Sequence, residues 1–388
     1  MWNLQENALS KKELKDLSKY ILKTPKLTQG KEVKKFESDF SKWNKSKYSI
    51  LVNSGSSANL IIINAAKEFY KWRNSDEIIV PSLTWPTTIN PVIQCGMKPV
   101  FIDTNFDDLS INYNELKKKI TKKTKAIFVA HILGFPANIK KINQIIKGKN
   151  IIIIEDCCES IGAKIGKKKI GNFGLAGSFS FYWGHHISTI EGGMITTNNF
   201  EFYNLCRMKR SHGFARELDN KIQIKIKKKY DNIDFNFLFL TDGFNLRSTN
   251  LNAFLGINQL KSLNKFIKIR NYNYRLFITI IKKYKDNFYL LKNKNLNCIS
   301  SFSLPFIFKK YEKLLEFKKL LIKNNIEYRP LISGDLTKQP YLRNYKRKKN
   351  FFSEIINSNG IYIGNNQFIN KKKLNSLNKI LGKLFLNF

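Results

Sequence analysis

The sequence predicts an α/β protein: a large domain built on a mostly parallel central sheet, followed by a smaller α+β C-terminal domain. Three observations carry this. Apolar runs of strand length alternate with helical patterns between residues 48 and 160. The run "IIII" at 151–154 is continuously apolar, as in strands covered on both faces. The connections are short, as in successive βαβ units. A length of 388 residues is enough to bury two cores.

The elements follow in order. "KDLSKYILK" (15–23) and "GKEVKKFESDFSKWN" (30–44) have the helical spacing of apolar residues. "YSILVNSGSSANLIIINAAKEFYKW" (48–72) reads as strand, small-residue turn and helix, and "DEIIVPSLTWPTTINPVIQCG" (76–96) as strand, Pro-marked loop and helix. "KPVFIDT" (98–104) is a strand. "NYNELKKKI" (112–120) is a helix with Asn available to cap it. "KAIFVAHILGFPAN" (125–138) is a strand and loop, "IKKINQIIKGKN" (139–150) a helix, and "IIIIEDCCES" (151–160) a buried strand ending in charge. Residues 217–240 read as a long excursion, and 248–284 as mostly helical, leading into the C-terminal domain at 285–388.

Composition excludes several classes. The 43% apolar and 13% aromatic content does not fit a disordered chain. No apolar run reaches the roughly 20 residues that span a bilayer. "MWNLQENALSKKELKDLSKY" lacks an apolar signal core, so the cytoplasm is the expected compartment. The five cysteines form no C-x-x-C pair and are odd in number, against a disulfide framework or a zinc site. No metal site is expected. Cys157 and Cys158 are expected to pack behind their strand.

The net charge is +39, from 68 basic and 29 acidic residues. One reading is nucleic-acid binding. The lysines are scattered and none of the usual nucleic-acid motifs occurs, which favours a compositional bias. Two denser patches, "KIQIKIKKK" (221–229) and "KRKK" (346–349), are either solvated faces or attractors of an anionic substrate.

Ligands of such sheets bind beyond the C-terminal ends of the strands. Three stretches fall there. "NSGSSAN" (53–59) opens a helix, and its N–H groups suit a phosphate, though a cap by Ser56 or Ser57 fits as well. "EDCCES" places Asp156 at a strand end, where it could hold a pyridine nitrogen protonated or simply cap a helix. "SFYWGHHISTIEGG" (180–193) sets two of the chain's four histidines side by side before a double glycine. A histidine is the usual acid or base near neutral pH, and equally a satisfied structural group.

Taken together and in this order, "SGSSAN", "VPSLTWPTT", "EDCCESIGA", "GSFSFY…EGGMITT" and "GFNLRSTNLNAFLGINQL" resemble the sugar-nucleotide aminotransferase family of fold-type I, aspartate aminotransferase-like PLP enzymes. The resemblance covers nearly the whole chain. Members hold PLP covalently through a lysine six residues before the Glu of "EGG"; here that position is His185. "HHISTIEGG", "RSHGFAR" (210–216), "RPLISG" (329–334) and "GIYIGNNQ" (360–367) are similar to a His-for-Lys subgroup, the GDP-4-keto-6-deoxy-D-mannose 3-dehydratases.

The resemblance implies a cofactor-binding domain at 1–284 and a small domain at 285–388. It implies PLP and its amine form PMP held without a covalent link, His185 as acid and base, and glutamate as the donor that restores PMP. It matches Gly55, Ser56 and Ser180 to phosphate contacts, Trp85 to a ring-stacking aromatic, Asp156 to the pyridine nitrogen and Glu159 to the cofactor 3-oxygen. Asn245 matches a phosphate contact reaching across a homodimer. His212 and Arg329 match contacts to substrate or glutamate. Core packing for Trp85 and a surface ion pair for Arg329 are the plainer alternatives. The implied reaction removes the C3 hydroxyl of a 4-keto-6-deoxy nucleotide sugar, with no membrane and no specific nucleic acid as partner. A nucleotide-sugar aminotransferase, or a non-catalytic sugar- or nucleic-acid-binding relative, are the other readings. A radical dehydrase with a two-iron–two-sulfur cluster needs clustered cysteines. After Arg210 the chain has only Cys298.

Overall fold

The structure is a computed structural model and describes residues 1–292, 296–345 and 351–386. Its helices and strands alternate as the apolar pattern requires. α1 (Lys11–Lys23) and α2 (Lys31–Asn44) come first, then β1 (Tyr48–Val52) and α3 (Gly55–Phe69). β2 (Glu77–Pro81), the short α4 (Asn90–Gln94), β3 (Lys98–Ile102) and α5 (Tyr113–Lys119) follow. Next are β4 (Thr124–Ala130), α6 (Ile139–Ile146), β5 (Ile152–Asp156) and a small hairpin, β6 (Lys164–Ile165) and β7 (Lys168–Lys169). β8 (Ala176–Ser180), β9 (Gly193–Thr197), α7 (Phe200–Arg210), α8 (Asn220–Lys229) and the 33-residue α9 (Asn250–Lys282) complete the first part. β10 (Ser303–Ile307), α10 (Tyr311–Lys323), β11 (Tyr328–Pro330), α11 (Phe351–Asn359), β12 (Gly360–Gly364) and α12 (Lys371–Phe385) form the rest.

The seven-stranded sheet has the order β1-β9-β8-β5-β4-β2-β3. β3, β2, β4, β5 and β8 pair in parallel, and β9 runs antiparallel to both β8 and β1. The strand ends that a ligand would meet are therefore aligned on one edge. β9 returns beside β8 with Ser180 opposite Gly193. The intervening "FYWGHHISTIEG" loop is thus clamped at both ends on that same edge. Strands such as β2 and β8 are buried at every residue, which explains the absence of alternation in their sequence.

A second sheet, β10-β12-β11, is wholly antiparallel. Its core joins Phe306, Phe317, Ile363 and Leu377 to the C-terminal half of α9 through Phe277 and Ile281. The N-terminal half of α9 packs instead with α2 beside the large sheet, through Ala253 and Leu263 against Val33 and Phe36. One helix thus spans both cores. The chain ahead of α1 does not stay with the first core: Trp2 is buried in the second.

The excursion at 217–240 contains α8, none of whose residues is buried. Ile222 and Ile226 rest partly on the large core, which leaves the lysines of 221–229 on a solvated face. The "KRKK" patch lies outside the described residues. No described helix is long and apolar enough to cross a membrane.

Candidate active site

A cavity of about 370 Å³ opens over the C-terminal ends of β2, β4, β5 and β8. It brings together Gly55, Ser56, Trp85, Asp156, Glu159, Ser180, His185 and Arg329. Eight of the ten residues singled out in the sequence therefore share one space. His212 and Asn245 do not line it. They sit beside each other on a separate bridge, with the His212 N–H donating to the Phe244 carbonyl at 2.8 Å and Asn245 Oδ1 accepting from Arg247 at 3.1 Å.

One wall is the N-terminus of α3. The cap is Ser54, whose Oγ accepts from the Ser57 N–H at 3.0 Å, and not Ser56 or Ser57. Ser54 is extended and so can reach forward, whereas both candidates already have helical backbone. Gly55 and Ser56 then offer first-turn N–H groups with no partner inside the helix, the arrangement that receives an anion. Glycine is required at 55 because the helix end is pressed on β8. A Cβ there would lie 2.8 Å from Ser180 Cβ and 2.9 Å from Cys158 Sγ.

The floor is Asp156. Its Oδ2 accepts from Asn59 Nδ2 and Thr88 Oγ1, both at 2.9 Å, and its Oδ1 from the Cys158 N–H at 3.1 Å. The carboxylate is buried and held from three sides, and no helix follows for it to cap. Cys157 is buried behind it, while Cys158 is only partly covered and reaches the cavity. Trp85 is 54% exposed on the rim, so core packing does not explain it. Glu159 accepts from the Leu133 N–H at 2.9 Å. Burial, with the Asp156 charge adding to it, pushes its carboxyl up to about 7.

Arg329 is exposed on β11 and makes no ion pair among the described residues. It shares a contact with the Tyr362 hydroxyl, which burial and Glu159 push up to about 12 against the opposing pull of Arg329.

His185 stands at the loop's inner turn. Its N–H donates to the Tyr182 carbonyl at 3.0 Å, and its ring meets Phe302 and Tyr182 edge-on at 5.3 and 6.0 Å. Nδ1 is enclosed and has no hydrogen-bond partner. Burial, and then the nearby Arg270 cation, pull the imidazole down to about 4, so it is neutral at pH 7. No lysine lines the cavity among the described residues.

His186 anchors this loop. It is fully buried, and its Nε2 lies 3.1 Å from the Ser300 carbonyl and 3.0 Å from Ser300 Oγ. A carbonyl only accepts, so Nε2 carries the hydrogen. Arg270, on α9, donates to the His185 carbonyl at 3.3 Å, to the Phe302 carbonyl at 3.1 Å and to the Asn365 carbonyl. Burial pulls this guanidinium down to about 9. The histidine loop is thus tied to the second core by two buried side chains.

The sequence reading missed His131, Gln5, Phe302 and Tyr362, all of which line the cavity. His131 stood legibly at a strand end. Its Nε2 meets Glu155 at 3.2 Å, and Glu155 also accepts the N–H groups of Gly171, Phe173 and Gly174. Those bonds fix the turn behind β5. The other three come from segments far away in the chain; Tyr362 lies within the quoted "GIYIGNNQ" stretch, whereas nothing local marks Gln5 or Phe302.

The order of these motifs matches a known family along most of the chain: a model described as the DegT/DnrJ/EryC1/StrS aminotransferase family covers residues 8–371. The chain belongs to this family. Within the DegT/DnrJ/EryC1/StrS aminotransferase family it is 37% identical over 372 residues to the GDP-4-keto-6-deoxy-D-mannose 3-dehydratase of Escherichia coli O55:H7, covering 93% of this chain and 94% of that protein. A crystal structure of GDP-4-keto-6-deoxymannose-3-dehydratase (ColD), a mutant with bound GDP-perosamine, superposes with a TM-score of 0.91 at 33% identity, covering 98% of this chain and 100% of that one. The E. coli enzyme with bound hydrated PLP gives the same TM-score and identity, covering 98% of this chain and 99% of that one. These matches extend the family likeness to the fold-type I large domain and the smaller C-terminal sheet alike.

Proposed function

We propose that this chain is a PLP/PMP-dependent 3-dehydratase that removes the C3 hydroxyl of a 4-keto-6-deoxy nucleotide sugar, GDP-4-keto-6-deoxy-D-mannose, with glutamate regenerating PMP. The observation that carries it is His185 standing over a cofactor cradle that contains no lysine among the described residues. The residues fit the cofactor. Gly55, Ser56 and Ser180 would cup its phosphate, Asp156, fixed by Asn59 and Thr88, would face its ring nitrogen, and Trp85 has an exposed aromatic face to stack on it. When bound, the cofactor supplies an electron sink and an amine that activates the sugar carbonyl.

Every other step falls to side chains. With no lysine to hold the cofactor, the helix N-terminus and Asp156 hold it by charge and hydrogen bonds alone. His185 is neutral and has Nε2 left to exchange protons, since Nδ1 is enclosed. That nitrogen takes up the proton whose loss starts elimination. The imidazolium so formed, being a strong acid in this pocket, gives a proton to the departing C3 hydroxyl. A lysine there would favour transamination. Glu159 would face the cofactor 3-oxygen, and Arg329 would receive a carboxylate or diphosphate through its planar fork.

The same reading takes the chain as a cytoplasmic homodimer in which Asn245 reaches the partner's cofactor phosphate, with His212 as a contact to substrate or glutamate. It is supported by their place outside their own cavity and by the exposed rings of Phe237 and Phe239 nearby. It also divides the chain into domains at 1–284 and 285–388, supported by the separate sheets, with Trp2 and the C-terminal half of α9 crossing into the second core. The test is mass analysis of products from several 4-keto-6-deoxy nucleotide sugars with PLP and glutamate. The 4-keto-3,6-dideoxy product with ammonia is expected. A 4-amino sugar with its C3 hydroxyl intact would instead establish the aminotransferase.

A further inference from the structure

The segment ahead of α1 crosses the molecule to reach the active-site cavity. Trp2 fastens one end. It is 3% exposed, and its indole N–H donates to the Gly364 carbonyl at 2.9 Å. Its backbone is bonded on both sides, with its N–H to the Asn325 carbonyl and its carbonyl accepting from the Glu327 N–H, both at 2.9 Å. The Leu4 N–H donates to the Glu327 carboxylate at 2.8 Å. Gly364 lies so close under this strap that a Cβ there would stand 2.4 Å from the Asn3 carbonyl oxygen. The other end is held by Gln259, which donates to the Ala8 carbonyl at 3.1 Å.

Between these fastenings, Gln5 enters the cavity. Its side chain lies flat on Gly184, the residue just before His185. A Cβ on Gly184 would fall 2.2 Å from Gln5 Nε2 and 2.3 Å from its Cδ. The Gln5 side-chain amide is half-buried, yet it makes no hydrogen bond to the described residues. A planar amide with two donors and one acceptor is thus held beside the catalytic loop, open to the cavity and with no protein partner among the described residues. Such a group matches a partner that offers hydroxyls or a phosphate oxygen.

We propose that Gln5 is a substrate-binding residue that hydrogen-bonds the hydroxyl-bearing sugar portion of the nucleotide sugar, and that residues 2–8 are a strap whose task is to hold it over Gly184. This rests on the dehydratase reading for the identity of the ligand. The strap is fastened to the second sheet through Trp2 and to α9 through Ala8, and none of these fastenings falls on Gly55, Ser56, Asp156 or Ser180 of the cofactor cradle.

The experiment uses the full chain loaded with PMP and GDP-4-keto-6-deoxy-D-mannose, with GDP-perosamine as a stable probe for binding. Gln5→Leu keeps the shape and removes the hydrogen bonds. It should raise the dissociation constant for the probe and the KM about 2- to 12-fold, the range for a lost neutral hydrogen bond, with cofactor affinity unchanged. Trp2→Ala, which frees the strap without touching the cavity, should reproduce that effect, and Gln5→Asn should recover part of it. In the unmutated chain, the probe should slow amide hydrogen exchange at residues 3–7. Unchanged affinity in Gln5→Leu, with no protection of 3–7 by bound probe, overturns the proposal. If the unmutated chain binds the probe but turns over no 4-keto sugar, the dehydratase reading fails while Gln5 is still judged by the binding and exchange data.

Discussion

Replacing His185 by asparagine separates chemistry from folding, and the structure sets both magnitudes. Nδ1 of the ring is enclosed and already unpartnered among the described residues. What it gives the fold is two edge-on contacts, with Phe302 at 5.3 Å and Tyr182 at 6.0 Å, each worth about 0.5–1.5 kcal/mol at most. The loop stays tied through the backbone, because Arg270 grips the residue's carbonyl and Ser300 grips His186. His185→Asn should therefore melt within a few degrees of the parent and bind cofactor normally. Its dehydration rate should fall about 10²–10⁴-fold, the usual loss for a positioned acid or base, or about 2.7–5.5 kcal/mol of transition-state stabilisation. His186→Ala is the control with the opposite pattern. It leaves the Ser300 carbonyl without its buried partner, so it should cost about 1–3 kcal/mol of stability. Single-turnover formation of the 3-deoxy product, followed by mass spectrometry beside a thermal melt, measures both. Dehydration by His185→Asn within ten-fold of the parent, in a protein that melts normally, would refute the assignment of the proton transfers to this imidazole.

His185→Lys should trap PLP in a link that borohydride makes permanent, and should lose dehydration. A variant that binds PLP but gives no reducible link would show that position 185 is not where the lysine of relatives stands. The imidazole of His185 should stay neutral in the cofactor-free chain from pH 8 to pH 5 and take up its proton only near pH 4. The unfolded imidazole protonates near 6.5, so this group's contribution to stability is lost as pH falls from there toward 4. Proton NMR of the ring checks this, and a midpoint at 6.5 would mean the ring is not desolvated. Neutralising Lys225, Lys227, Lys228 and Lys229 on the solvated α8 should weaken duplex DNA binding and its salt dependence while leaving KM within about two-fold. A large rise in KM would assign the patch to the substrate. Sedimentation at micromolar concentration should find a dimer; a fully active monomer would remove Asn245 from the shared site.

Much of this protein was legible without coordinates, for a physical reason. A strand covered on both faces must be continuously apolar, so β2, β4 and β5 announce themselves, and the short connections make them parallel. A helix end that meets a strand end needs a small residue, so Gly55 and its serines mark the anion-binding turn. The ends of consecutive βα units fall on one edge by geometry alone, which is why Gly55, Asp156 and Ser180 could be brought together from order and spacing, while Trp85 came with the family resemblance. His185 was readable because it replaces a lysine at a counted distance from Glu191. Tertiary structure decided the rest. The cap fell to Ser54 because only that residue has the extended backbone to reach forward. The ionisation of His185 and Glu159 depends on what buries them, and Arg270 acts on His185 from 85 residues away. His186 found its role in Ser300, and Gln5 reached the cavity only because Trp2 is pinned to a sheet more than 300 residues downstream. Local pattern encodes what a segment buries; which distant segment comes to cover it is settled only when the two cores pack along α9.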